Sequence, residues 1–231
     1  YSTLAKQMGL DEPIEIMDAV QQLARPKEAV LERLRVDTRY IHAGAAPSFD
    51  GQIVVNERDG TLWHDLTDEF GVRWSMPDDS LLYMDITHHP LADATIEDLA
   101  DYPFPDGADP GRFLGLREQA LRIRNETPYA VISGISGVVY EICWYMRGLE
   151  RWFVDMIENP ALCEALLDRT SQFWVDWMEG FLGEVGDVLD IIMIGDDLAG
   201  QQGPLFSPSF YRKVVRPRQQ RVIDTIKKHT T

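Results

Sequence analysis

Cysteine is scarce in this 231-residue chain. Cys143 and Cys163 stand alone, with no CxxC pair and no disulfide framework. A reducing compartment, the cytoplasm, is the expected location. No apolar run reaches the ~18 residues of a membrane-spanning helix, and no basic-then-apolar leader opens the chain. Positive charge is short as well. Lys and Arg number 22 against 38 Asp and Glu, a formal net charge of −16, which argues against a nucleic-acid partner because phosphate contacts need a basic face. GxSxG, HExxH, GxGxxG and P-loop motifs are missing. Aromatic weight is present: six Trp, nine Phe and eight Tyr can bury a real core and exclude disorder.

The residue pattern predicts a short helix over 2–10, helices from Asp11 to about Ala24 and from Pro26, and a strand at Val36–His42. Ile53-Val54-Val55 and Thr61-Leu62-Trp63 flank the turn signal Arg58-Asp59-Gly60, which reads as an antiparallel hairpin insertion at about 52–76. Pro77 to Pro110 holds nine Asp or Glu and no Lys or Arg. It reads as a solvated loop, with one short helix near Thr95–Leu99 and Thr95/Asp98 as a capping box. From Arg112 the pattern is β/α: helix 112–125, strand Tyr129–Ser133, helix 140–147, a further helix at 149–157, and a long amphipathic helix after Asn159-Pro160. Val188–Ile194 is a near-continuous apolar run, read as a parallel strand covered on both faces. Ser207-Pro208 suits a helix start, and Pro217 a bend. Three parallel strands with helical crossovers predict α/β architecture. The expected form is a TIM (β/α)8-type barrel, incomplete in these residues, with 1–231 as part of a single domain. The chain opens on Tyr1 rather than Met and stops after a helix where a strand should follow. A homo-oligomer or a fragment of a longer chain is therefore the expectation.

Chemistry is expected at strand ends. Asp196 and Asp197 follow the strongest strand; adjacent carboxylates raise one another's proton affinity, so one can act as an acid. Asp197 is the predicted proton-handling group, with Asp196 held by backbone amides and lining the substrate site. After the strand at 129–133 stand Gly134 and Gly137, then Glu141 and, one helical turn on, Tyr145. Gly137 offers close backbone approach, and Glu141 faces the same side as Tyr145. The competing structural readings are turn caps for the aspartates and a packed phenol for Tyr145. His88-His89-Pro90 has no ligand-like neighbours and predicts no metal. Cys143 reads as inert core. Seven basic residues between Arg212 and Lys228 read as a solvated face, or as anchors for a carboxylate.

The segment GDDLAGQQGPLFSPSFYRKVVRPRQQRVIDTIKKHT, residues 195–230, resembles the uroporphyrinogen decarboxylase family, and most closely its branch of corrinoid-dependent methyltransferases and demethylases. Val36–Tyr40, His89–Ala92, Tyr102–Asp106 and Tyr145–Gly148 support the likeness. The resemblance implies a TIM-like barrel and a tetrapyrrole or corrinoid co-substrate. A small-molecule substrate and a corrinoid protein are the implied partners. Tyr145 matches a substrate-contacting Tyr of the decarboxylases. Asp197 stands where they carry Ser, and Gly44 where they carry a catalytic Asp. Both departures favour corrinoid-dependent methyl transfer over decarboxylation of uroporphyrinogen side chains in porphyrin biosynthesis. A non-catalytic binding module is the remaining alternative. The zinc ligands of the methyltransferase branch, a His-x-Cys and a later Cys, would fall beyond residue 231, so no metal ligand is expected within these residues.

Overall fold

The computed structural model describes residues 1–10, 13–80 and 83–229. In chain order the elements are α1 (Ser2–Gln7), β1 (Ile16–Asp18), β2 (Leu23–Ala24), α2 (Glu28–Arg33), β3 (Thr38–Tyr40), β4 (Val54–Arg58), β5 (Thr61–Thr67), β6 (Arg73–Pro77), β7 (Asp85–His88), α3 (Ile96–Asp101), α4 (Leu116–Glu126), β8 (Ala130–Ile135), α5 (Glu141–Arg147), α6 (Leu149–Glu158), α7 (Pro160–Val185), β9 (Ile191–Ile194), β10 (Ala199–Gly200), β11 (Gly203–Pro204), α8 (Pro208–Phe210) and α9 (Arg216–His229). The chain packs as two compact units. The first comprises Tyr1–Asp37, Gly51–Asp68 and Arg73–His88, and the second Thr38–Asp50, Glu69–Val72 and His89–Thr231. Among the described residues β4 to β7 pair only with one another, as do β3, β8 and β9.

In the first unit, β4-β5-β6-β7 form an antiparallel sheet. Asp59 and Gly60, at φ 51° and 78°, make the two-residue turn between β4 and β5, as the right-handed twist of a hairpin demands. β7 corrects the expectation of a loop there: β6 and β7 together extend the β4–β5 hairpin into a four-stranded sheet. Asp85, Thr87 and His88 remain solvent-facing, so three of the four residues are polar and the strand carries no strong apolar signal. The helix expected over 11–24 is corrected too. Asp11 and Glu12 lie outside the described residues, and β1 and β2 pair antiparallel, Ile16 opposite Ala24. Gln22 at φ 55° turns the chain between them.

The second unit holds the parallel sheet β3-β8-β9. The architecture is α/β, with three parallel strands among the described residues. β9 is parallel as predicted but is not covered on both faces. It is the sheet edge, and Ile191, Met193 and Ile194 are exposed. The core lies along α7, whose Leu166, Leu167, Phe173, Trp177, Met178 and Phe181 are buried at 3- and 4-residue spacing. Phe113 and Phe181 pack their rings around Trp177. Cys143 and Cys163 are buried here, and burial pushes the Cys163 thiol up to about 12. The capping box forms: Thr95 Oγ1 accepts from Asp98 N–H at 3.2 Å, and Thr95 N–H donates to the Asp98 carboxylate at 2.8 Å. Ser207 caps α8. Pro217 acts one turn earlier than its own position. Lacking an N–H and crowding the carbonyl four residues back, it is preceded by a π-helical turn at Tyr211–Val215.

The basic face of α9 is largely spent on α7. Arg218, only 8% exposed, holds Asp168 through Nε at 2.8 Å and a second nitrogen at 2.9 Å. Lys228 reaches Glu179 at 2.9 Å. Arg218 also bonds the Glu164 carbonyl. This ladder sets α9 against α7 and brings Gln219 to the end of the parallel sheet.

Candidate active site

β8 and β9 end level, with Ile135 opposite Ile194. The chain after β9 turns across the end of β8: Gly195 N–H donates to Ile135 O at 2.9 Å, and Val138 N–H to Gly195 O at 3.3 Å. Asp196 is thereby thrust under the first turn of α5. Its carboxylate accepts from the amides of Val139 (3.2 Å), Tyr140 (2.9 Å) and Glu141 (2.8 Å) and from Gln219 Nε2 at 3.1 Å. Four donors occupy its two oxygens. They hold the turn between β9 and α5. Burial raises the Asp196 pKa above the ordinary value, against the pull of those amides.

Glu141 and Tyr145 are brought together, as their spacing implies. Tyr145 Oη donates to Glu141 Oε1 in a short hydrogen bond. The Asp197 N–H also donates to the Glu141 carboxylate, while the Asp197 and Asp196 charges repel it. Half-buried among them, Glu141 has its pKa raised, first by desolvation and then by those charges. Asp197 itself is exposed. The carboxylate that meets Tyr145 is thus Glu141, with Asp197 beside it at the rim. Gly137 adopts φ 72°, and a Cβ there would stand 3.4 Å from Glu141 Oε2. Glycine leaves the space over the carboxylate open and tolerates the left-handed backbone.

The sequence reading gave three residues at this end no role in the site. Tyr40 and His42 stack at the end of β3 with centroids 4.3 Å apart, and Tyr40 Oη donates to Gly134 O at 2.5 Å. Their spacing of two, which puts both on one face at a strand end, was the available signal. His89 is the third. Its Nδ1 lies 2.7 Å from Tyr145 O, which can only accept, so that nitrogen carries the proton. The ring also packs on Gly148, where φ is 89° and a Cβ would stand 3.3 Å from it. His89 therefore fixes the end of α5 that carries Tyr145. Among the described residues no group of three or more His, Cys, Asp or Glu could hold a metal ion. No helix among them is long and apolar enough to cross a membrane.

A partly desolvated carboxylate bonded to a phenol, beside a second carboxylate at parallel strand ends, can store a proton and pass it to a ligand. The family description Uroporphyrinogen decarboxylase (URO-D) matches residues 66–231, which include every residue of this cluster except Tyr40 and His42. The chain belongs to the uroporphyrinogen decarboxylase family. Among solved structures it is similar to a methyltransferase from Methanosarcina mazei, with 16% identity and a TM-score of 0.53, over 86% of this chain and 51% of that one. The chain thus spans about half the length of that methyltransferase. No curated protein matches. The structural likeness reaches both units, although the family match begins only at residue 66, within β5.

Proposed function

We propose that the chain is part of a methyltransferase of the uroporphyrinogen decarboxylase family, built on a TIM-type barrel and working with a corrinoid. The observation that carries this reading is the charge of the site. Glu141, Asp196 and Asp197 gather at the strand ends, and the donors that meet Glu141 and Asp196 there are a phenol, an amide side chain and backbone N–H groups. Such a site repels the carboxylates a porphyrinogen decarboxylase must hold. Gly44, which stands where the decarboxylases carry their Asp, has no side chain to replace it. A methyltransferase as structural relative supports the same reading.

A bound corrinoid supplies a metal centre that takes or gives a methyl group. The chain's own residues act at the substrate heteroatom. A heteroatom that gives up a methyl group becomes more basic and takes a proton. Tyr145 Oη touches that atom, Glu141 stores the proton behind it, and Asp197 sets the local charge. Asp196 and His89 hold the two ends of α5. The test is methyl transfer from a panel of O-, N- and S-methyl compounds to cob(I)alamin, followed by the visible absorbance of the methylcobalamin formed, alongside coproporphyrinogen formation from uroporphyrinogen. Methylcobalamin formation without porphyrinogen decarboxylation is expected; decarboxylation without methyl transfer overturns the reading.

A further inference from the structure

Between the start of α3 and the start of α7 lies a cleft of about 470 Å³, a size that takes a small molecule. None of the residues lining it belongs to the strand-end cluster. Arg147 forms its buried end: the side chain is 2% exposed, yet it lines the cleft. Its Nε holds Asp155, and its Nη1 donates to the carbonyls of Leu91 and Ala94. Nη2 makes no hydrogen bond among the described residues. Arg151, half-exposed on α6, reaches the same carboxylate at 3.4 Å, and Asn159 Nδ2 donates to it at 2.7 Å. Two guanidinium groups thus share one carboxylate, which leaves one positive charge over at the buried end. The start of α7 adds to it. Asn159 stands at the N-cap of this 26-residue helix but gives its amide to Asp155 and no acceptor to the helix. The positive helix end therefore opens on the cleft, at Pro160 and Ala161, without a side-chain cap.

The solvent side of the cleft carries the opposite sign. Asp93, Glu97 and Glu158 line it, are exposed, and make no ion pair among the described residues. Ile96 and Leu162 add apolar wall. We infer that this cleft binds a small zwitterion, with its anionic head against Arg147 and Arg151 and its cationic tail toward Asp93, Glu97 and Glu158. A head oxygen supplies the acceptor that Arg147 Nη2 lacks, and a buried donor left without one is costly. A plain anion meets three carboxylates on its way in, and a plain cation leaves the guanidinium surplus unanswered. The head is the stronger hold, because its partners are desolvated, while the exposed carboxylates are screened and contribute little each.

The test is isothermal titration of the whole protein, at about 0.15 M salt so that exposed charges are screened, with 5-aminopentanoate, glutarate and pentane-1,5-diamine. These share a five-carbon chain and differ in the charges at its ends. 5-Aminopentanoate should bind saturably and about ten- to hundredfold more tightly than either of the others, the range for a hydrogen bond to a charged partner. Arg151→Gln removes the surplus positive charge at a half-exposed position and leaves the Arg147–Asp155 pair in place. It should weaken 5-aminopentanoate by about tenfold and leave the diamine within about twofold. Glu158→Gln should weaken both of these alike, by about threefold or less, and strengthen glutarate. A merely structural effect of Arg151→Gln would lower all three together. Glutarate binding as tightly as 5-aminopentanoate to the unaltered protein overturns the inference in favour of a plain anion site, and the diamine doing so reduces the cleft to an acidic surface. An absence of saturable 5-aminopentanoate binding overturns it as well, as does an equal loss for all three in Arg151→Gln. Should that variant fail to fold, the order of affinities in the unaltered protein decides.

Discussion

Two carboxylates make the instructive comparison. Asp65, on β5 in the antiparallel sheet, is 9% exposed. Its oxygens accept from Ser75 Oγ at 2.5 Å, from Asn56 Nδ2 at 2.7 Å and from the Arg58 guanidinium. Ser75, Asn56 and Arg58 together hold its pKa below the ordinary value, against burial. Glu141, at the end of the parallel sheet, is also partly desolvated. Its neighbours are a phenol, an amide and two further carboxylates, and its pKa is raised. Burial acts on both in the same direction, so the difference comes from the partners. A buried carboxylate given a cation contributes to stability, and one given like charges keeps a proton within reach for chemistry. Asp155 belongs with Asp65: it is fully buried against Arg147, 2% exposed, at 2.6 Å, and its pKa is lowered.

The largest effect that separates the two classes is on rate. Glu141→Gln and Tyr145→Phe should each lower methyl transfer by about 10²- to 10⁴-fold with the fold intact, the range for losing a positioned acid or base. Asp197→Asn, at an exposed carboxylate, should cost less. Steady-state rates normalised to folded protein check this. A Glu141→Gln enzyme of undiminished rate would place Glu141 with the structural carboxylates.

The next effect is on stability. Arg147→Met removes the buried cation from Asp155, which keeps only the half-exposed Arg151 and the Asn159 amide, and takes the arginine donor from the carbonyls of Leu91 and Ala94. Stranding a buried charge costs about 3–5 kcal/mol, read by denaturant unfolding. Asp65→Ala should cost about 1–3 kcal/mol, because Ser75 and Asn56 lose a buried acceptor while Arg58 keeps its access to water.

The same contrast explains what the sequence could reveal. The parallel strands, the capping box at Thr95, the Ser207 cap and the stripe of α7 were legible because each rests on a local pattern: an apolar run, a spacing of three, a period of 3.6. The approach of Glu141 to Tyr145 was legible for that reason too, being one helical turn. Arg218 against Asp168 was not, because fifty residues separate them and only the packing of α9 on α7 makes them neighbours. β1 and β2 were missed because acids and a proline imitate a helix start, while the turn at Gln22 carries no glycine. We propose the proton-holding role for Glu141 rather than for the expected Asp197, since the adjacent pair 196–197 pointed only to the strand end where the carboxylates gather. It did not show which way each side chain leaves a turn, and α5 takes Asp196 inward while Asp197 stays in solvent.

The smallest effect, and the sharpest on the comparison, is the sign of the pH dependence. Asp196 has a folded-state pKa above its ordinary 3.8. Between that ordinary value and the raised one, the folded state binds more protons than the unfolded state, so stability falls as pH rises through the window. Its ionised form costs stability at neutral pH, and the cost vanishes on acidification. Asp65 runs the other way, with a folded-state pKa below 3.8. Its contribution is present above that ordinary value and is lost as pH falls toward the lowered one. Unfolding free energies of the unaltered protein minus those of Asp196→Asn should therefore rise as pH falls from 7 toward 4. The corresponding difference for Asp65→Asn should stay flat over that span and drop only below it. Subtracting each variant removes every group the pair share, which isolates the titration of one carboxylate. Parallel curves for the two variants would mean that both carboxylates are held by compensating partners, and the distinction between the antiparallel sheet and the strand-end site would then rest on the rate effect of Glu141 alone.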